Sequence, residues 1–518
     1  MTEEATAPTR DASVVVSEPP APRDLLGVAC GLVALVVYVL HGFGGELSKD
    51  SAVYIYGGQR FADGVLPYVD LVNRAGPLAH AIPGVAIWVT RLVGGDDVYG
   101  VRVLFMLISA GCIVAVYHLG RDLFASRGAG LAAATSLLCS QGFILYATYG
   151  PREKTAMVLF LTLALLAVVH QRWFTAGVLV SLATLVWQPV LFAALAGIVV
   201  AIAVGLPARR WWRALARVAV GGALPALVTL VVYAIAGEVR ILIDCFLLIN
   251  ARYTRQAGFL DHPAESWHRL VDGYGVTLWL FIGGLVAVVA LAAVALGKGE
   301  TRRAPRSAGL VGTAVCTVGG VLWTMRAYDN WPDVMLLLPC AAVGMGGVVA
   351  GFGRRLSATA SHVVTAVFCV VCLNLAVVYS VAERSTVLDD QRASVEAVQK
   401  VLPHAEVFSV EAPQAMVLGG WRNASRYQLF GNGLIDYVDA TWPGGIEGYG
   451  RWIDRQRPTV IAAPKGPIPD WLAPTLERSY ERAGPAPRWE WYVRTDVPEH
   501  DRRMLERALQ EAADGVSG

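Results

Sequence analysis

Apolar runs separated by short polar breaks dominate the chain as far as about residue 382. Near the roughly 20-residue length that crosses a bilayer as a helix, such runs fall at about 25–43, 101–119, 128–147, 155–170, 174–188, 189–206, 218–237, 276–297, 307–325, 332–351 and 361–382. This pattern predicts about eleven spanning helices. The tightest break is Trp187-Gln188-Pro189, where two neighbouring helices must turn sharply. Past residue 383 the pattern changes: the β-prone runs AEVFSVE (405–411), TVIAAP (459–464) and WEWYVR (489–494) alternate with helical patterns at 386–401, 446–456 and 498–512. That alternation predicts an α/β domain over 383–512. Ahead of the first apolar run, residues 1–23 are rich in Pro, Ala, Ser, Thr and acid, so they should be disordered. They are too long and too acidic for the n-region of a cleaved signal peptide. The last residues, 513–518, should fray.

Composition strengthens the membrane reading. With 55% hydrophobic and 16% charged residues and a mean hydropathy of +0.50, the chain is too apolar for an ordinary soluble globule. A formal net charge of +2 over 518 residues gives no reason to expect nucleic-acid binding. The eight cysteines all lie in or beside apolar runs. They read as small core or lipid-facing residues and not as a disulfide frame or metal site.

Charge sets the sidedness. With a cytoplasmic N-terminus, the basic loops 120–128, 207–217, 298–306 and 351–355 all fall inside, as the positive-inside rule requires. This parity holds only if residues 76–95 do not span, so they are expected to form a re-entrant or interfacial helix with His80 and Arg91 on its polar side. Residues 44–100 then make one long outer loop with a further amphipathic helix near 52–63. An odd number of spans places the α/β domain outside the cell membrane.

The spans at 128–147, 218–237, 276–297 and 307–325 carry no ionisable residue, which argues against an ion relay through the bilayer. Charge gathers at the outer ends of helices. Lys49 and Asp50 follow the first span, with Asp70 and Arg74 further along the same loop; Arg152, Glu153 and Lys154 share one short connection. The loop 238–275 carries Arg252, Arg255, Asp261, His262, His268 and Arg269, and RAYDNWPD brings Arg326, Asp329 and Asp333. His262 and His268 lack metal-ligand spacing. The sequon Asn423-Ala424-Ser425 is a short match that gives little reason to infer glycosylation.

In their order along the chain, DSAVYIYGGQRFADGVLPYVD, NRAGPL, GPREKTAMVLF and DNWPDVMLLLP resemble the GT-C superfamily of integral membrane glycosyltransferases. They are similar to bacterial and archaeal proteins described as dolichyl-phosphate-mannose mannosyltransferase-like. The resemblance covers about residues 25–380. It implies a mainly α, polytopic architecture with an extracytoplasmic α/β domain. The activity it implies is transfer of a sugar, mannose by the family's descriptions, from a polyprenyl-phosphate donor to a glycan, glycolipid or protein acceptor on the outer face. Such a reaction needs a base for the acceptor proton and cations for the departing phosphate. Asp50 is the candidate base, with a pKa that partial desolvation raises and Lys49 opposes. Arg152, Lys154, Arg252 and Arg255 are the candidate donor-phosphate ligands. Lys49, Asp70, Arg74, Glu153, Asp329 and Asp333 are candidates for sugar or acceptor contact. One carboxylate beside an ammonium is a poor divalent site, so no metal or other cofactor is indicated. A transporter or flippase would instead need polar residues inside spans and matching broken helices, and a non-catalytic envelope scaffold would need neither.

Overall fold

Every apolar run is helical in the computed structural model, which describes residues 24–297 and 304–514. The expected disorder of 1–23, most of the inner loop 298–306 and the tail 515–518 lie outside the described residues; the last helix runs to Asp514, into the stretch expected to fray. The chain opens with α1 (Leu26–His41), α2 (Lys49–Ala62), α3 (Leu78–Leu92) and α4 (Asp97–Phe124). Next come α5 (Arg127–Leu138), α6 (Gln141–Thr148), α7 (Glu153–Val169), α8 (Trp173–Val186), α9 (Val190–Gly205) and α10 (Trp211–Ile235). A short α11 (Val239–Ile243) runs into a π-helical stretch, Asp244–Tyr253. The bundle is completed by α12 (Pro263–Tyr274), α13 (Leu278–Gly297), α14 (Pro305–Arg326), α15 (Leu338–Gly353) and α16 (Ala358–Ala382).

By length and composition, six helices among the described residues can cross a membrane, or seven if α5 and α6 count as one broken span. The run expected as a single helix over 128–147 is in fact bent by 68° between Leu138 and Gln141. The bend seats Trp331: a Cβ on Gly142 or Gly273 would lie 2.4 or 2.3 Å from its indole, and Tyr146 of α6 stacks on it at 4.9 Å. Elsewhere the bundle closes through small residues, which let helix backbones approach where lipid offers no hydrophobic drive. A Cβ on Gly344 of α15 would sit 1.9 Å from the Gly284 carbonyl oxygen of α13.

The long first loop departs from expectation in two ways. Helix α2 starts earlier than residue 52, because the Ser48 side chain accepts from Ser51 N and caps it. It is also largely buried, wedged between the bundle and the C-terminal region. Helix α3 does lie as an amphipathic element, exposing Val85, Trp88, Val89 and Leu92 on one stripe. Arg91 on its other side pairs with Asp63 and Asp97, each at 2.7 Å. His80, however, is not on a polar face. Gly57 leaves room for its ring, which is buried beside Tyr54 and Tyr68.

After α16, helix α17 (Val387–Val401) leads into a four-stranded sheet of β1 (Val407–Ser409), β2 (Val460–Pro464), β3 (Tyr480–Pro485) and β4 (Trp489–Arg494). The order is β1-β2-β4-β3, with β1 parallel to β2 and the other pairs antiparallel. Strand β3 has an irregular register between Arg482 and Gly484, fitting an edge position. This region shares its cores with the first loop. Leu47, Ile55 and Tyr56 pack in one cluster with Trp489 and Trp491, and Tyr68 and Val72 pack in another with Phe408 and Val438. The Gln391 amide exchanges hydrogen bonds with the Leu47 backbone at 2.8 and 3.1 Å. The loop 44–100 is thus the joint that fixes the sheet over one end of the bundle.

The α13–α15 contact is testable. Gly344→Leu should destabilise the detergent-solubilised protein by about 1–3 kcal/mol or more, read as a lower melting temperature. Gly222→Ala, whose new Cβ meets nothing closer than 3.6 Å, should leave it unchanged.

Candidate functional site

Two helix starts carry the ionisable groups of the site. Ser48 begins α2 so that Lys49 and Asp50 occupy its first turn, where free backbone N–H groups favour a carboxylate. Arg152 precedes α7, and Glu153 and Lys154 open it. These two helix ends meet. The Arg152 guanidinium pairs with Asp50 and lies 3.3 Å from Glu153. Lys154 Nζ is 2.9 Å from Glu153 and 3.2 Å from Asp333. Asp333 in turn accepts from Asp329 N at 2.8 Å and forms a reciprocal cap with Asn330. The result is an unbroken chain of alternating charge, Asp50–Arg152–Glu153–Lys154–Asp333, whose three middle members are almost fully buried.

This chain forms one wall of a cavity of about 830 Å³, within the ~300–1,000 Å³ of small-ligand sites. Of the residues singled out in the sequence, Lys49, Asp50, Arg74, Arg152, Glu153, Lys154, Arg255, Asp329 and Asp333 all line it. Arg252 and Asp70 do not. On the π-helical stretch, Phe246, Leu247, Asn250 and Ala251 face the cavity and Arg252 is carried past it into the open. Asp70 pairs instead with Arg422 at 2.9 Å, in a separate recess.

Charge is unevenly divided around the cavity. Asp50, Glu153 and Asp333 are bound to Arg152 and Lys154, and Lys49 is bound to Glu411 at 2.6 Å. Arg74, Arg255 and Arg326 have no carboxylate partner among the described residues. The Arg74 backbone is anchored by Gln188 and Asn250, which donate to its carbonyl at 3.0 and 2.8 Å. Turning the Gln256 amide sets its oxygen 3.0 and 3.2 Å from the Arg74 guanidinium. The wall below these arginines is apolar. Phe192 of α9 stacks on Trp323 of α14, and Phe192 and Leu247 are 67% and 55% exposed on the bundle's flank. These exposed apolar side chains line the same cavity as Glu411, Leu429 and Leu434 of the C-terminal region.

Asp50 is surrounded by protein yet keeps 51% of its side chain open to the cavity. Burial pushes its pKa up, but Arg152, Lys154 and Lys49 outweigh burial and hold it below the ordinary aspartate range. This reverses the rise expected from desolvation. Lys49 shows the mirror image: burial lowers its pKa, and Glu411 more than compensates, leaving the ammonium above its usual range.

Two lining residues carried no role in the sequence reading. Arg326 stood in the fourth charged cluster, and its position at the last turn of α14 aims it at the cavity. Glu411 comes from the end of the first strand region and had no local signal. It sits at a left-handed φ of 56° and its carboxylate also accepts from Phe430 N and Gly431 N, so the C-terminal region supplies part of the roof. Among the described residues, no group of three or more His, Cys, Asp or Glu converges as a metal site; each acid of the charge chain is already engaged by Arg or Lys.

No family model matches the chain, and no curated protein sequence is significantly similar. Solved structures do match its fold. ArnT from Cupriavidus metallidurans bound to undecaprenyl phosphate superposes with a TM-score of 0.62 at 13% identity, covering 91% of this chain and 98% of that one. The same protein in the apo state gives 0.62 at 14% identity, covering 90% and 97%. The oligosaccharyltransferase of Archaeoglobus fulgidus in the apo form gives 0.51 at 10% identity, covering 92% and 76%. Over nine-tenths of its length the chain therefore shares the fold of these structures, in keeping with the resemblance that the motifs carry.

Removing Arg152 would leave Asp50 and Glu153 underpaired in a buried setting. Arg152→Gln should cost about 3–5 kcal/mol, and adding Glu153→Gln should recover part of it. A depressed carboxylate is charged at every pH above its ordinary value of 3.8. The contribution of Asp50 to wild-type stability should accordingly be full above that value and be lost as pH falls below it. Melting curves against pH read both effects.

Proposed function

We propose that the protein is a membrane glycosyltransferase that moves one sugar from a polyprenyl-phosphate donor to an acceptor hydroxyl on the extracytoplasmic face. The observation that carries this reading is the cavity itself: the Asp50 carboxylate, three arginines with no carboxylate partner among the described residues and the exposed apolar side chains of Phe192 and Leu247 surround the same space. The lipid chain would enter between α9, α14 and the π-helical stretch. Its phosphate would be held by Arg74, Arg255 and Arg326, whose planar forks match phosphate oxygens. Arg152 and Lys154, first read as phosphate ligands, serve better as the frame that orients Asp50, because their charge is already met by carboxylates.

In the reaction, the acceptor oxygen bonds to the anomeric carbon while the bond from that carbon to the phosphate oxygen breaks. The electron pair leaves with polyprenyl phosphate, stabilised by the arginines. Asp50 takes the acceptor proton. A carboxylate below its usual pKa is a weak base for a resting hydroxyl, but it suits one that grows acidic as its oxygen bonds to carbon. Asp329, whose carboxylate has no cationic partner among the described residues, and Lys49 are placed to contact sugar hydroxyls. The donor sugar is read as mannose or another hexose or pentose with the same leaving group.

We place eleven spans in the membrane, with a cytoplasmic N-terminus and the α/β domain outside. Support comes from the ends of the bundle. Arg121, Arg127 and Arg354 lie at the end away from the site, and the sheet covers the other.

The test is donor kinetics in reconstituted vesicles. Asp50→Asn should lower kcat by about 10²-fold or more with little change in donor KM. Arg255→Ala and Arg326→Ala should raise donor KM much more than acceptor KM. Unaltered turnover in folded Asp50→Asn protein would remove Asp50 as the base, and equal effects on both substrates would remove the arginines as phosphate ligands.

A further inference from the structure

A second recess lies beside the reaction cavity and has a different lining. It encloses about 460 Å³ between the first loop, at Val69 and Asp70, and the C-terminal region, at residues 422–427, Trp442 and Trp452. The two spaces are neighbours along the same two strands of chain. Val69 and Asp70 line the recess while residues 73–75 line the reaction cavity; residues 422–427 line the recess while Leu429 and Gly431–Asn432 line the cavity. The segments are stitched between the two spaces by Val72 N donating to Arg426 O at 2.8 Å. Four residues of extended chain span at most about 14 Å, so Asp70 and Arg74 are within reach of one short oligomer.

Aromatic rings and charge alternate inside the recess. Tyr427 and Trp442 meet edge to face at 5.8 Å, and Trp442 meets Trp452 at 5.5 Å, so the indoles are propped in fixed orientations, both partly open. Arg426 lies 5.5 Å over the Tyr427 ring and has no carboxylate partner among the described residues. Asp70, mostly buried, is paired to the exposed Arg422. The backbone here is rigid: Asn423 accepts from Ser409 N at 2.8 Å and donates to Ser425 O at 2.9 Å. The sequon asparagine thereby serves as a buried loop brace.

We infer that this recess is a glycan-binding subsite that holds the acceptor's sugar chain while its end reaches Asp50; the word acceptor rests on the transferase reading, and the binding does not. An indole face receives the C–H face of a sugar ring. A fixed carboxylate–guanidinium pair bridges vicinal hydroxyls as acceptor and donor. Two arginines against one aspartate favour a ring that carries a carboxylate or phosphate.

The experiment measures binding of neutral hexose, pentose and uronate oligosaccharides to the full chain in nanodiscs without donor, by tryptophan fluorescence and calorimetry. A uronate oligosaccharide should bind, and Trp452→Leu and Arg426→Gln should each weaken it about tenfold or more. Arg426 is exposed, so its variant tests the site even if the tryptophan variant fails to fold. No binding by any oligosaccharide, or equal binding to wild type and Arg426→Gln, overturns the subsite. Neutral chains binding as tightly as uronates overturns the preference for charge. Glycan binding without any transfer keeps the subsite and sinks the enzyme reading; transfer without glycan binding does the reverse.

Discussion

The ion chain from Asp50 to Asp333 is the interaction on which the site depends. Ions taken out of water cost several kcal/mol each unless they are paired with good geometry, and here each buried member has a partner on both sides. Because its members come from the start of α2, the start of α7 and the turn before α15, the chain fixes three elements distant in sequence against one another. Lys154 also lies 5.0 Å from the Trp187 ring and Arg152 5.6 Å from Tyr146, so aromatic walls keep water from weakening the pairs. Asp50 is held as a carboxylate in a fixed position, which on the proposed reading readies it as the base before substrate arrives.

Pairing on one wall gives meaning to its absence on the other. Arg74, Arg255 and Arg326 have no carboxylate partner among the described residues, so an anion entering the cavity would find three unpaired guanidinium groups on its lining. On the proposed reading, the exposed apolar side chains of Phe192 and Leu247 beside them would receive the lipid attached to such an anion. Overhead, Glu411 binds Lys49 and two backbone N–H groups at once, so the sheet is coupled to the first turn of α2. A glycan held in the neighbouring recess would touch the same two segments, 69–75 and 422–432, that close the roof.

Much of the fold was legible because long apolar runs mark helices: each of them is helical, and six or seven among the described residues are long and apolar enough to cross a membrane. The charged clusters at the helix ends were legible for the same reason, since charge survives there only at an interface or in a site. Other features were decided at long range. Nothing near His80 reveals that Gly57 opens a slot for its ring. Arg252 and Arg255 look equivalent in sequence, and the wider π-helical turn decides which one reaches the cavity. The partners of Lys49 and Asp70, Glu411 and Arg422, lie far along the chain in a region without membrane periodicity. The early start of α2 is readable in Ser48 as an N-cap just ahead of the Lys-Asp pair. Strand β3 was hidden because YERAGP carries the charge, glycine and proline of an irregular edge.

The most direct measurement is a structure of the reconstituted protein with bound polyprenyl phosphate. Phosphate oxygens within hydrogen-bonding distance of Arg74, Arg255 and Arg326, with the lipid leaving past Phe192 and Trp323 and Asp50 facing the vacant sugar position, would establish the proposed chemistry. Phosphate seated on Arg127 and Arg354 at the opposite end of the bundle, with the cavity beneath the sheet empty, would contradict it.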